Sequence, residues 1–281
     1  MVEARPELMP FSTDSTLLLH SCCAPCSGSM IKVLVDLGIK VTILWYNPNI
    51  HPRAEYEIRK KENLKYAISL GIPFVDLDYD TKEWFARARG MELDPERGGR
   101  CTMCFDMRME RTALYAFENG FKWFTTTNAT SRWKDVDQVN GSGRKAAMKY
   151  DDVHFWEYNW QTDRLTQLKY EVSAENSFYK QEYCGCAYSL RDTNAYRKLH
   201  NQPAVAIGGG GVFSDPMLDS LEESQEAVDA FFEATNTVIQ GMYEGRRKTS
   251  TTAGVKSSGS AGVGCGLSEK QSGGSCDVNN W

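Results

Sequence analysis

Seven cysteines stand in three close groups in the body of this chain: Cys22-Cys23-Ala24-Pro25-Cys26, Cys101-Thr102-Met103-Cys104 and Cys184-Gly185-Cys186. Thiolates ligate metals and attack electrophiles. A lone Cys-x-x-Cys is weak evidence, because one buried cysteine behaves as a small apolar residue. Three groups in one chain, each beside a turn, point to metal or redox chemistry. Four sulfurs close a structural zinc site or an iron–sulfur cluster, which leaves three over. Zinc typically uses two knuckle pairs in a small module, whereas an enzyme-sized domain must gather these ligands, so iron–sulfur is favoured. Cys265 and Cys276 lie in a Gly- and Ser-rich stretch without rigid neighbours and are not read as ligands.

The elements that must position these sulfurs are strands alternating with helices. Leu17 to Leu19 form an apolar run that reads as a buried parallel strand, and a helical pattern starts at Ser27, which places Cys22, Cys23 and Cys26 in a strand-to-helix turn. Further strands are expected over 40–46, 74–79, 121–127 and 153–158, and helices over 53–70, 81–89, 102–118, 135–150 and 164–177. This order predicts an α/β, doubly wound, mostly parallel sheet whose carboxyl-end loops bring distant cysteines together. A helix amino end there favours a thiolate. The expected organisation is an arm over 1–15, an α/β catalytic domain with the iron–sulfur site over 16–190, a linker and helical extension over 191–245, and a disordered tail over 246–281. The extension contains Gly208 to Gly211 and an amphipathic helix over 218–243.

The chain has 281 residues, a formal net charge of -5 and 41% hydrophobic residues, enough for one substantial core. That charge argues against a basic coat for nonspecific nucleic-acid binding while allowing a local basic cleft. Met1 to Ser15 resembles neither a secretory signal nor a membrane anchor, so a soluble protein is expected, cytoplasmic or in an organelle's soluble compartment. Nine cysteines there suit ligands better than disulfides.

His20-Ser-Cys-Cys-Ala-Pro-Cys26, Tyr46-Asn-Pro-Asn-Ile50, Arg100-Cys-Thr-Met-Cys104 with Arg108, Thr125-Thr-Thr127 and Tyr183-Cys-Gly-Cys-Ala-Tyr-Ser189 together resemble the successive signatures of the QueH family, cobalamin-independent epoxyqueuosine reductases. The resemblance runs in order from about residue 16 to 189. It implies a fold like the adenine-nucleotide alpha-hydrolase (HUP) group and a [4Fe-4S] cluster with an adjacent iron-type metal on the seven cysteines. It also implies a tRNA substrate carrying epoxyqueuosine; the sequence leaves the electron donor unidentified, and the amino-terminal segment read above leads to no membrane partner. The sequence departs from the family after Thr127, with Asn128 at an expected apolar position and Arg132 in place of proline before Trp133 and Lys134. A second departure is Ser177 to Glu182.

Turning an epoxide into an alkene consumes two electrons and two protons and expels water, while a cluster delivers electrons singly. A Lewis-acidic metal on the surplus cysteines would stabilise the departing oxygen. Proton donors must lie within hydrogen-bond reach, and Asp106, Tyr46, Tyr183 and Lys134 are the candidates by their nearness to the motifs. Against this, the tyrosines suit ordinary packing and Lys134 a phosphate contact. For tRNA, Arg97, Arg100, Arg108 and Arg111 surround the second cysteine pair; on the helix over 53–70, the cations Arg53, Arg59, Lys60 and Lys61 alternate with Glu55, Glu57 and Glu62 and suggest a solvated face. His20 adjoins the cysteines and is a candidate to orient them. Two other classes remain open: an ATP-dependent tRNA-modifying enzyme of the same superfamily, disfavoured because Pro25 and thiols replace a glycine-rich phosphate loop, and a noncatalytic zinc-stabilised RNA-binding module.

Overall fold

The computed structural model describes residues 15–131 and 133–210. Residues 1–14 of the expected arm, Arg132, the expected helix over 218–243 and the tail with Cys265 and Cys276 lie outside them. Five strands, β1 (Thr16–Ser21), β2 (Lys40–Trp45), β3 (Phe74–Asp76), β4 (Trp123–Thr126) and β5 (His154–Phe155), pair in parallel in the order β3-β2-β1-β4-β5. The helices are α1 (Ala24–Asp36), α2 (Arg53–Ser69), α3 (Thr81–Arg87), α4 (Gly99–Glu118), α5 (Val136–Ala147), α6 (Asp163–Glu175) and α7 (Ala187–Leu199). No helix among the described residues is long and apolar enough to cross a membrane.

The leucine run forms the central strand because both of its faces are covered. Leu17 and Leu19 pack with Met30, Ile31 and Leu34 of α1, Tyr56 and Ala67 of α2 and Val172 of α6. Leu18, pointing the other way, joins Phe124 of β4, Met109, Ala113 and Ala116 of α4 and Ala146 of α5. Strand order reverses direction between β1 and β4, and a crevice opens there beyond the carboxyl ends of the strands. Gly28 lets α1 approach α6, since a Cβ at that position would meet Phe178 Cε2 at 2.8 Å and Val172 Cγ1 at 2.9 Å.

Several boundaries shift, with physical causes. α1 starts at Ala24 and α4 at Gly99, each three residues before the expected start, so Cys26, Cys101 and Cys104 fall within the first two turns of these helices. Strand β3 ends at Asp76 because Tyr79 turns away to stack on Tyr56 at 3.9 Å and donates its hydroxyl to the Ile50 carbonyl. α7 crosses the boundary expected at residue 190. Only Ser189 of that helix is buried, so no apolar stripe announces it. At the expected glycine linker, Ile207–Gly210 forms a 3₁₀ turn, and Gly208 donates its N–H to the Tyr179 hydroxyl at 3.3 Å.

The solvated face expected on α2 is corrected in part. Arg53 and Lys60 do pair near the surface with Glu57, but Glu55, Arg59 and Glu62 are buried. Arg59 pairs with Glu55 at 2.7 Å, and Glu55 and Glu62 accept from the Tyr179 hydroxyl and backbone N–H respectively. Charged groups are buried here because each has a partner within the fold.

Candidate metal centre

Three helix starts converge on one cavity. Cys23 is the residue before α1 and Cys26 sits in its first turn; Cys101 and Cys104 lie in the first two turns of α4; Cys186 immediately precedes α7, its sulfur accepting from the Ser189 N–H at 3.3 Å. The positive ends of three helix dipoles thus meet the thiols. The sulfurs of Cys22, Cys23 and Cys26 lie within 4.8 Å of one another. Cys22, Cys101, Cys104, Cys184 and Cys186 line one cavity. All seven are free thiols, and Cys184 keeps solvent access.

The third group owes its position to α2. Arg59 donates Nη1 to the Cys184 carbonyl at 3.0 Å and Nη2 to the Tyr183 carbonyl at 3.2 Å. His51 donates its N–H to the Gly185 carbonyl at 2.8 Å, and its Nδ1 accepts from the Ala187 N–H at 3.2 Å. Gly185 adopts φ 140°, a conformation that favours glycine, and a Cβ there would sit 3.1 Å from Arg59 Nη1.

The cavity is electropositive. Arg59, Arg100, Arg108 and Lys134 line it, and no carboxylate does among the described residues. Arg100 is 1% exposed; its Nη1 donates to the Met91 and Glu92 carbonyls, but Nε and Nη2 have no partner among the described residues. Buried cations left in this state fit an anionic group. Four thiolates around an iron–sulfur core supply such a group, so the residues present fit the expected cluster.

Within the first triad, thiol hydrogen bonds from Cys23 and Cys26 hold Cys22 well below the usual thiol range, against the effect of burial and with help from Lys134 and the Thr127 hydroxyl. Burial pushes Cys23 up, and also Cys101 and Cys186. These thiols must ionise when they ligate, so metal binding releases protons. Burial works against the charge on Lys134, but the sulfurs of Cys22 and Cys184 outweigh it and raise its pKa.

The four proton-donor candidates separate. Lys134 lines the cavity: Nζ donates to Asn128 Oδ1 at 2.6 Å and lies 3.9 Å from Cys22 Sγ. Tyr183 does not line it, because its hydroxyl donates to the His51 carbonyl and its ring carries the Arg59 guanidinium at 5.4 Å. Tyr46 is buried beside Trp84, Cys104 and Met107, outside the lining. Asp106 points away, two positions beyond Cys104 on α4, and pairs with Lys145 of α5 at 2.6 Å. His20 is buried and its imidazole stays neutral, held down to about 3 by burial and by Arg108. Its Nε2–H donates to the Tyr46 carbonyl at 3.1 Å, so Nδ1 accepts from the Thr126 hydroxyl at 2.9 Å. Both ring nitrogens are occupied, and His20 holds β1 to its neighbours.

Of the arginines expected to contact tRNA, Arg100 and Arg108 are instead buried, at 1% and 2% exposure, and face the cavity. Arg111 pairs with Glu118, and Arg97 remains exposed. Sequence reasoning missed the roles of Arg59 and Asn128. The latter is fully buried and accepts from both Lys134 and Arg108, the second at 3.5 Å. A polar residue two positions after a strand, at the point where strand order reverses, is the signal that could have found it.

A family model described as epoxyqueuosine reductase QueH matches residues 17–192. The epoxyqueuosine reductase QueH of Histophilus somni is 55% identical over 204 residues, covering 73% of this chain and 84% of that protein. The Haemophilus influenzae protein of the same name is 56% identical over 192 residues, covering 68% and 78%. That of Acinetobacter baylyi is 54% identical over 200 residues, covering 71% and 91%. Among solved structures, the U34-tRNA thiolase NcsA of Methanococcus maripaludis with its [4Fe-4S] cluster superposes with a TM-score of 0.42 and 10% identity, covering 82% of this chain and 74% of that one. On the strength of the family match and these relatives, the chain belongs to the QueH family of epoxyqueuosine reductases.

Proposed function

We propose that this chain is an oxidoreductase that removes the epoxide oxygen of epoxyqueuosine in tRNA, consuming two electrons and two protons and leaving an alkene and water. The observation that carries this reading is that five cysteines from all three groups line one cation-lined cavity, with the sulfurs of Cys23 and Cys26 within 4.8 Å of that of Cys22. Cys22, Cys23, Cys26, Cys101, Cys104, Cys184 and Cys186 would hold a [4Fe-4S] cluster and an adjacent iron-type ion, without cobalamin. When bound, these groups supply single electrons and Lewis acidity toward the epoxide oxygen.

The chain's own residues bind, orient and protonate. Lys134 donates a proton from Nζ toward the departing oxygen, with Asn128 Oδ1 aiming the ammonium into the cavity. Arg100 and Arg108 offset negative charge there, and Trp84, Phe105 and Ile50 exclude water from one wall. Electrons come from a donor outside the chain. The reaction takes place in the cytoplasm, where thiols remain reduced.

The test is anaerobic purification with iron, zinc and sulfide analysis, repeated on Cys23→Ala and Cys104→Ala, followed by an assay on tRNA carrying epoxyqueuosine. A brown protein with about four sulfides and more than four irons, bleached and inactive in the variants, supports the proposal. Stoichiometric zinc with no sulfide in a colourless protein would replace it with a zinc-stabilised RNA-binding module.

A further inference from the structure

Beside the metal cavity lies a second, smaller one that shares Cys101, Phe105, Lys134 and Cys184 with it and is otherwise walled by Glu96, Arg97, Trp133 and Gln138. Trp133 is 67% exposed, although the large apolar area of an indole normally drives it into a core or an interface. Its neighbour Lys134 places Nζ 3.9 Å from Cys22 Sγ, so two consecutive residues run from the exposed surface to the thiols. The segment is braced: Arg97 Nε donates to the Trp133 carbonyl at 3.0 Å, and Lys134 N–H to the Ser131 carbonyl at 3.0 Å. Gln138 Nε2 donates to the Arg97 carbonyl at 2.9 Å and to Thr102 Oγ1 at 2.7 Å, tying the starts of α4 and α5 together at the rim.

We infer that Trp133 is the stacking platform for the substrate nucleobase, with Arg97 beside it contacting an adjacent phosphate. This rests on the reading of the centre as one that acts on a modified base in tRNA. The reacting ring hangs on a side arm of that base; when the arm enters past Lys134, the base stays at the mouth, beside the exposed Trp133 side chain. Single-stranded loops are recognised in this way, by splaying a base onto an aromatic ring while cations hold the backbone. The rim carries one carboxylate, Glu96, against the cations Arg97 and Lys134, and the exposed Arg97 suits the backbone beside that base.

The experiment uses anaerobically prepared, metal-loaded full chain and an anticodon stem-loop RNA carrying the epoxide-bearing base. Binding is measured without reductant and steady-state turnover with it, for wild type, Trp133→Ala, Trp133→Phe and Arg97→Gln. Loss of one base stack should raise Kd and KM about 5- to 150-fold in Trp133→Ala with kcat and iron content little changed, while Trp133→Phe keeps most of the affinity. Arg97→Gln should reduce the slope of log affinity against log salt by about 0.7. Wild-type Kd and KM in Trp133→Ala, with wild-type turnover intact, would overturn the stacking role alone. Loss of iron in Trp133→Ala would assign the residue to the scaffold and overturn it as well. Wild-type protein that neither binds nor turns over this RNA would overturn the proposed function, and the platform with it.

Discussion

Lys134 shows how little of a single residue's chemistry its sequence position conveys. Its ammonium is set between a carbonyl oxygen of Asn128 and the sulfur of Cys22, a geometry fixed by residues 6 and 112 positions away. If it is the proton donor, Lys134→Met should lower kcat by about 10²- to 10⁴-fold while iron content stays at the wild-type level. Lys134→Arg should not rescue, because a guanidinium keeps the charge but does not release its proton. Full turnover in Lys134→Met would remove the residue from the mechanism. The cysteines were legible because thiol chemistry is specific to residue type and their spacings are local. Arg59 was not: its partners Tyr183 and Cys184 lie more than a hundred residues away, and a buried arginine on a charged helix looks like any surface arginine.

At the scale of elements, α1, α4 and α7 each contribute a cysteine-bearing start, and α7 is attached by Tyr188, which packs on Trp84 and Phe85, together with polar contacts at its start. Its tether to His51 is titratable. Burial holds that imidazole down to about 4 from its ordinary 6.5, and Nδ1 must stay unprotonated to accept from Ala187. Above pH 6.5 neither state of the chain binds this proton; between 6.5 and 4 the unfolded chain binds it and the folded one does not. Stability therefore falls as the pH drops through that window, by on the order of 2 kcal/mol at pH 5 from this group. Melting curves of the metal-loaded protein at pH 7 and pH 5 should show a smaller acid loss for His51→Asn, whose amide oxygen accepts without titrating. An equal loss in both proteins would exclude His51 as a source of acid sensitivity. Strands and most helices were readable from apolar period, since β1 is buried on both faces and α4 and α5 on one. α7 was not, because it carries no such period.

For the molecule as a whole, the family match over residues 17–192 spans all three cysteine groups, and the excess of acid in a chain of net charge -5 stays out of the cavity lining. A centre that ties β1, α4 and α7 together should also stabilise the fold. At a thousandfold saturation a bound group adds about 4 kcal/mol. Anaerobic chelation should accordingly lower the melting temperature by roughly 8–16 °C, and an unchanged melting temperature would show that the thiols do not share a structural metal. The separation of the three groups along the chain also imposes a timetable on synthesis. Cys22, Cys23 and Cys26 leave the ribosome first, while Cys184 and Cys186 follow some 160 residues later, so a nascent chain spends most of its elongation with open, unshielded sulfurs. The Glu55–Arg59 pair is translated long before the carbonyls of Tyr183 and Cys184 that complete it. On the proposed ligand set, metal delivered before that last loop is made would meet only part of the thiols, and so would an oxidant that reaches the growing chain.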